Sequence, residues 1–141
     1  MDVRKLLGSY KEIDNRINLD LEEIAQLRSL SERVTRNTSL CESSGKGGHS
    51  DRVGNYAVKI ADLEIRIDRE IDRLVDLKER IMAMTASLDT ATERLIIERR
   101  YILGETIDTV AEKLGYSPRH ITRMLRKALE KLADIYDKQI A

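Results

Sequence analysis

Residues 104–132 read GETIDTVAEKLGYSPRHITRMLRKALEKL, and this stretch decides the fold. Thr106 is a good N-cap for the apolar-periodic segment that follows, and Gly115 suits the left-handed conformation that ends a helix. Ser117 and Pro118 then match the N-cap and first position of another helix. The stretch therefore predicts a helix over 107–114, a tight glycine turn and a second helix, which is the helix-turn-helix arrangement.

The helix-turn-helix also requires apolar side chains on the inner faces of both helices. A small residue is needed where the second helix crosses the first, and Ala111 supplies it. The remaining inward positions are expected to be Val110, Leu114, Tyr116, Ile121 and Met124.

The outward face of the second helix is basic. The segment between Tyr116 and Leu132 contains five basic residues and one acidic residue, a local net charge of 5 − 1 = +4, although the whole chain is neutral. Because the N-terminal part of such a recognition helix enters the major groove, we expect it to carry the base contacts and the rest of helix 118–131 to meet phosphates. The predicted base-edge contacts are Arg119, His120, Thr122 and Arg123, and the predicted phosphate contacts are Thr106, Ser117, Arg126, Lys127 and Lys131.

A further helix is predicted upstream of this motif. Thr90 and Glu93 have the spacing of a capping box, in which each side chain bonds the other residue's backbone N–H. The helix should place Tyr101 in the small domain's core and end at Gly104. We therefore predict a helix-turn-helix domain over residues 87–141.

Residues 1–86 carry two apolar stripes at helical spacing, separated by a Gly/Ser/Thr-rich segment at 35–51 that predicts a flexible loop. The pattern indicates an all-α protein with a long antiparallel helical hairpin (coiled coil) ahead of the helix-turn-helix domain. Asp20 interrupts the first stripe, and an antiparallel register would bring it near Arg66 or Arg69. The second stripe recurs every seven residues, at Val53, Ile60, Ile67, Leu74, Ile81 and Leu88.

Other functional classes have little support in the sequence. Cys41 is the only cysteine, there is no signal-peptide run, and no stretch approaches membrane-spanning length, so we expect a cytoplasmic protein away from membranes. Ser44-Gly45-Lys46-Gly47-Gly48 lacks the spacing and preceding strand of a phosphate-binding loop. Cys41, His49 and His120 are too scattered for a zinc site. No nucleophile–base pair stands out, so we expect no enzymatic activity, cofactor or metal.

Residues 95–132 resemble region 4 of sigma-70-type transcription factors. The resemblance is carried by IERRY at 97–101, GETIDTVAEKLG at 104–115 and RKALEKL at 126–132. It implies a domain that reads the minus-35 promoter element and contacts RNA polymerase. Arg119 stands where that family has Glu, and Thr122 where it has Arg, so we do not expect standard minus-35 recognition.

The layout of a helical hairpin followed by this domain is similar to that of small phage and prophage sigma-like or late-gene regulators of Gram-positive bacteria. We expect a transcriptional regulator that binds double-stranded DNA, forms a homodimer or other homo-oligomer through the hairpin, and has RNA polymerase as a further partner. Two alternatives stay open. One is a DNA-packaging recognition protein similar to a phage terminase small subunit, and the other is a polymerase- or sigma-interaction protein that does not contact DNA.

Overall fold

The computed structural model describes residues 2–40 and 48–140, with side chains over 2–36 and 52–140. Within those ranges the protein is all-α, as predicted, and no helix there is both long and apolar enough to cross a membrane. Pro118, the chain's one proline, begins a helix and therefore interrupts none. The α-helices are α1 (Val3–Leu40), α2 (Gly48–Thr85), α3 (Ala91–Ile97), α4 (Ile107–Leu114) and α5 (Pro118–Ile140).

The predicted loop over 35–51 is too long. α1 continues to Leu40 and α2 begins at Gly48, so residues 35–40 and 48–51 are helical, and residues 41–47 lie outside the described part of the chain. One reason is visible at Thr35, whose hydroxyl donates to the carbonyl of Ser31 at 3.0 Å. A hydroxyl that bonds back to its own helix no longer competes for the backbone groups that extend it.

Backbone contacts divide the chain into two compact units. Unit 1 contains residues 1–14 and 73–141, and unit 2 contains residues 15–72. The boundary predicted between residues 86 and 87 lies just after the end of α2. It therefore separates residues 1–14 and 73–86 from the C-terminal helices, with which they form unit 1. The cause is that the beginning of α1 and the end of α2 pack on the C-terminal helices.

In unit 2 the two long helices run antiparallel: as residue numbers increase along α1, the numbers of their ion-pair partners in α2 decrease. Arg28 pairs with Glu64 at 3.1 Å, and Asp20 pairs with Arg66 at 2.6 Å. The expectation for Asp20 is thus confirmed with Arg66 as the partner. The guanidinium donates two hydrogen bonds, of 2.6 and 2.9 Å, to a carboxylate that is only 4% exposed. The buried apolar residues of this seam are Ile17, Ile24, Leu27, Leu63 and Ile67, and Glu70 is a second buried carboxylate there, paired with Arg16 at 4.0 Å.

Unit 1 is built around one apolar core that draws on all five helices. After α3 the chain continues as a π-helical segment over Glu98–Ile102, where the sequence predicted an ordinary helix, and Gly104 ends it with φ of 70°. Tyr101 packs against the core, as predicted. The buried core residues include Val3, Leu6 and Leu7 of α1, Ile81 and Met84 of α2, Ile96 and Ile97 of α3, Val110 and Ala111 of α4, and Ile121, Leu125, Ala128, Leu129 and Leu132 of α5.

Candidate nucleic-acid interface

The corner between α4 and α5 has the predicted local chemistry. The Thr106 hydroxyl accepts from the Thr109 N–H at 3.2 Å and caps α4. Gly115 has φ of 77° and its N–H donates to the Ala111 carbonyl at 2.9 Å. The Ser117 hydroxyl accepts from the His120 N–H at 3.2 Å, so it caps α5 directly ahead of Pro118. The predicted glycine turn and both predicted caps are confirmed.

Packing at this corner fixes which face of α5 points outward. Val110 and Ile121 are 0% exposed and Ala111 is 2% exposed, so the crossing is tight at the small residue. Leu114 and Met124 pack against the edge of the core. The prediction for Tyr116 is wrong, because its side chain is 42% exposed. Its ring instead lies 5.1 Å from the His120 ring, between centroids, at an interplanar angle of 49°.

The face of α5 opposite the core presents arginines to solvent. Arg119, Arg123 and Arg126 follow at spacings of four and three residues, which places them on one side of the helix. All three are exposed and line the same shallow groove with Thr122. None of the three makes an ion pair with a described residue. A helix held by one face and carrying unneutralised arginines on the other is suited to binding polyanions.

The other candidate residues on this surface differ in what they can offer. His120 and Lys127 are exposed. Thr122 is exposed too, but its hydroxyl donates to the Pro118 carbonyl at 3.0 Å and retains only its capacity to accept. Thr106 and Ser117 use their hydroxyls as caps, so only backbone N–H groups remain there for an anion. The start of α4 offers those of Ile107 and Asp108. The start of α5 offers only that of Arg119, because Pro118 has no N–H.

Lys131 is already held by two carboxylates, with which a phosphate would have to compete, and its predicted phosphate contact stays a prediction. Its ammonium donates to Glu93 at 2.8 Å and to Asp89 at 3.1 Å, and these bonds raise its pKa above the ordinary value. The same contact changes the capping box. Thr90 caps α3 by accepting from the Glu93 N–H at 3.2 Å, while the Glu93 carboxylate turns to Lys131. Lys131 therefore joins α5 to the start of α3.

Sequence reasoning missed a second ionic cluster, centred on Glu105. Its carboxylate accepts from Lys113 at 2.6 Å and from Arg99 at 3.2 Å, and its carbonyl accepts from Arg100 at 3.1 Å. The hydrogen bond from Lys113, followed by that from Arg99, lowers the pKa of the Glu105 carboxyl below its ordinary value. The cluster fixes the segment between Gly104 and α4. The sequence shows that these residues have opposite charges, but charge alone does not show which residues pair in the folded protein.

Comparison with known proteins agrees with this geometry. Residues 90–134 match the family model described as sigma-70, region 4, and these residues form a sigma-70 region 4-like helix-turn-helix domain. The match begins at the cap of α3 and extends into α5, so it contains the whole corner. No curated protein and no solved structure gives a significant match.

Proposed function

We propose, from the sigma-70 region 4-like domain at residues 90–134, that this protein is a phage- or prophage-type transcriptional regulator that places α5 in the major groove of DNA. The region 4 match indicates a DNA-binding helix-turn-helix regulator, and the proposal adds the mode of docking. One observation carries it: the buried side of α5 packs on α4 while Arg119 and Arg123 face solvent without an ion-pair partner among the described residues.

The proposal assigns two roles along α5. Arg119, His120, Thr122 and Arg123 occupy the first turns, which reach base edges when a recognition helix enters the groove end-on. An arginine that makes two hydrogen bonds to guanine discriminates by about 1–3 kcal/mol. Arg126 and Lys127 lie further along and bind phosphate, together with the backbone N–H groups that follow Thr106 and Ser117.

Self-association through unit 2 completes the proposal, because a single helix-turn-helix buries little surface on DNA and such proteins commonly act as dimers. Unit 2 carries large apolar side chains in solvent, which supports such an interface. Val58 is 60% exposed and Ile65, one heptad later, is 52% exposed. The proposal also includes RNA polymerase as a partner, a cytoplasmic location and no enzymatic activity.

Salt-dependent DNA binding tests the docking. The full chain is titrated onto a fluorescent 30-bp duplex of mixed sequence at 50–200 mM salt, and anisotropy gives Kd. On a duplex of mixed sequence, which offers no selected bases, all four exposed cations of this face meet phosphates: Arg119, Arg123, Arg126 and Lys127. The log–log slope should be about −3 to −4 per binding domain, since each neutralised phosphate contributes about −0.9. Arg123→Ala should make the slope shallower by about one.

Lys138→Ala is the matched control for this experiment. It removes one exposed positive charge from the same helix, about 18 Å beyond Arg126 at 1.5 Å per residue, and it should leave the slope unchanged. A flat salt response of the unmodified protein refutes duplex binding and favours an interaction protein that does not contact DNA. A ring-sized mass in light scattering, in place of a dimer, favours the packaging alternative.

A further inference from the structure

The first turn of α1 lies beside the recognition helix, although more than a hundred residues separate the two in sequence. Within unit 1, a surface groove of about 210 Å³ is lined by Arg4, Tyr101, Thr122, Leu125, Arg126 and Leu129. Small-molecule sites are usually larger, roughly 300–1,000 Å³, and more enclosed. The groove is therefore suited to part of an extended ligand that passes over the surface.

Arg4 is held in this place by its neighbours in α1. Val3, Leu6 and Leu7 are 2%, 5% and 1% exposed, and they belong to the same buried core as Leu125 of α5. The Arg4 side chain itself is exposed, and among the described residues its guanidinium has no ion-pair or hydrogen-bond partner. The backbone position is thus fixed by apolar burial, while the charge stays available.

The Arg4 groove adjoins the arginine groove of α5. Thr122 and Arg126 line both of them. Along the combined surface the lining cations are Arg119, Arg123, Arg126 and Arg4, and no acidic residue lines either groove. A surface of one sign that runs from the recognition helix onto a different helix is expected to follow a polyanion beyond the bases that α5 reads.

We infer that Arg4 binds a backbone phosphate of the DNA that α5 engages, which extends the interface from the helix-turn-helix domain onto α1. This inference rests on the proposed function. A guanidinium forms two parallel hydrogen bonds with a phosphate, and phosphate contacts set the register and orientation of a protein on the duplex. Arg4 therefore positions the recognition helix and does not itself read sequence.

The test compares Arg4→Ala and Arg4→Lys with the unmodified full chain, on the same 30-bp duplex and over the same salt range. Loss of one phosphate contact should make the log–log slope shallower by about 0.9, which corresponds to roughly eightfold weaker binding at 0.1 M salt. Arg4→Lys keeps the charge and should retain most of the slope. Lys138→Ala again controls for loss of net charge.

The possible outcomes separate this inference from the proposed function. If the unmodified protein binds and Arg123→Ala weakens binding, but Arg4→Ala has the same slope as the unmodified protein, Arg4 makes no phosphate contact and only the present inference fails. If the unmodified protein does not bind duplex DNA, the proposed function fails as well. Partial unfolding of Arg4→Ala would reduce the active fraction without changing the slope, so a shallower slope reports the lost contact itself.

Discussion

Substitutions at Ile121 test whether the corner that presents α5 is held by the packing described above. Ile121 is 0% exposed and shares a buried cluster with Val110 and Ala111 of α4. Ile121→Ala removes three carbon atoms, worth about 0.8 kcal/mol each on transfer from water. A cavity term adds to this, and the expected loss of stability in unit 1 is about 3–4 kcal/mol. Ile121→Val removes one carbon and should cost about 1 kcal/mol.

Tyr116→Ala is the informative comparison, because the sequence pattern placed Tyr116 on the same buried face. Its 42% exposure predicts a loss of about 1 kcal/mol or less. Since the chain contains two compact units, a global unfolding curve does not isolate unit 1. Hydrogen–deuterium exchange of peptides from α5, read by mass spectrometry on the full chain, measures the opening of this helix locally.

The expected losses of stability convert into exchange protection, because about 1.4 kcal/mol corresponds to a tenfold change in the equilibrium constant for opening of α5. Protection of α5 should fall more than a hundredfold in Ile121→Ala, about fivefold in Ile121→Val and fivefold or less in Tyr116→Ala. Equal losses in Tyr116→Ala and Ile121→Ala would refute the argument, because they would show that the tyrosine packs the corner as strongly as the isoleucine does.

Three further predictions concern the turn, the Glu105 cluster and the seam of unit 2. Gly115→Ala should destabilise unit 1 by about 1–2 kcal/mol because φ is 77°, whereas Gly8→Ala, inside α1 and equally free of steric contacts, should stabilise it by about 0.5–1 kcal/mol. Hydrogen exchange of α5 peptides should become faster in the first variant and slower in the second, and changes of equal sign contradict the reasoning. The Glu105 pKa is lowered, so its stabilising contribution is present above the ordinary glutamate pKa and is lost as pH falls through the lowered value. Glu105→Gln should reduce the protection of α4 against hydrogen exchange at pH 7, and the difference from the unmodified protein should disappear in acid; equal protection at both pH values would show that the cluster contributes nothing. Arg66→Ala leaves the buried Asp20 carboxylate without its partner and should raise hydrogen exchange in α1 over 15–36, while exchange in α5 stays the same if the effect is confined to unit 2.

Local chemistry explains why much of the corner could be predicted from the sequence. Thr106, Gly115, Ser117 and Pro118 act on backbone groups within three or four residues, so their effects do not depend on the rest of the fold. The heptad stripe similarly identified α2, because periodicity along a helix reports which side is buried. The helices, the turn and the exposed arginines could all be predicted from such short-range patterns.

The features that the sequence did not reveal depend on contacts between distant residues. Lys131 has the same charge as Lys127 and lies four residues later, yet Glu93 and Asp89 reach only Lys131. Tyr116 has an apolar ring but lies just outside the crossing of α4 and α5. That Arg4 lies beside α5 follows from the packing of α1 in three dimensions, and neither residue spacing nor composition predicts that packing.

The discontinuous make-up of unit 1 has a consequence for how the protein emerges from the ribosome. The core that Val3, Leu6 and Leu7 enter also needs Ile121 and Leu132, which are synthesised more than a hundred residues later. Unit 2 needs only residues 15–72 and can close while translation continues. The apolar side chains at the start of α1 must therefore stay exposed, to water or to a chaperone, until α5 is released, and closure over such a separation is slow.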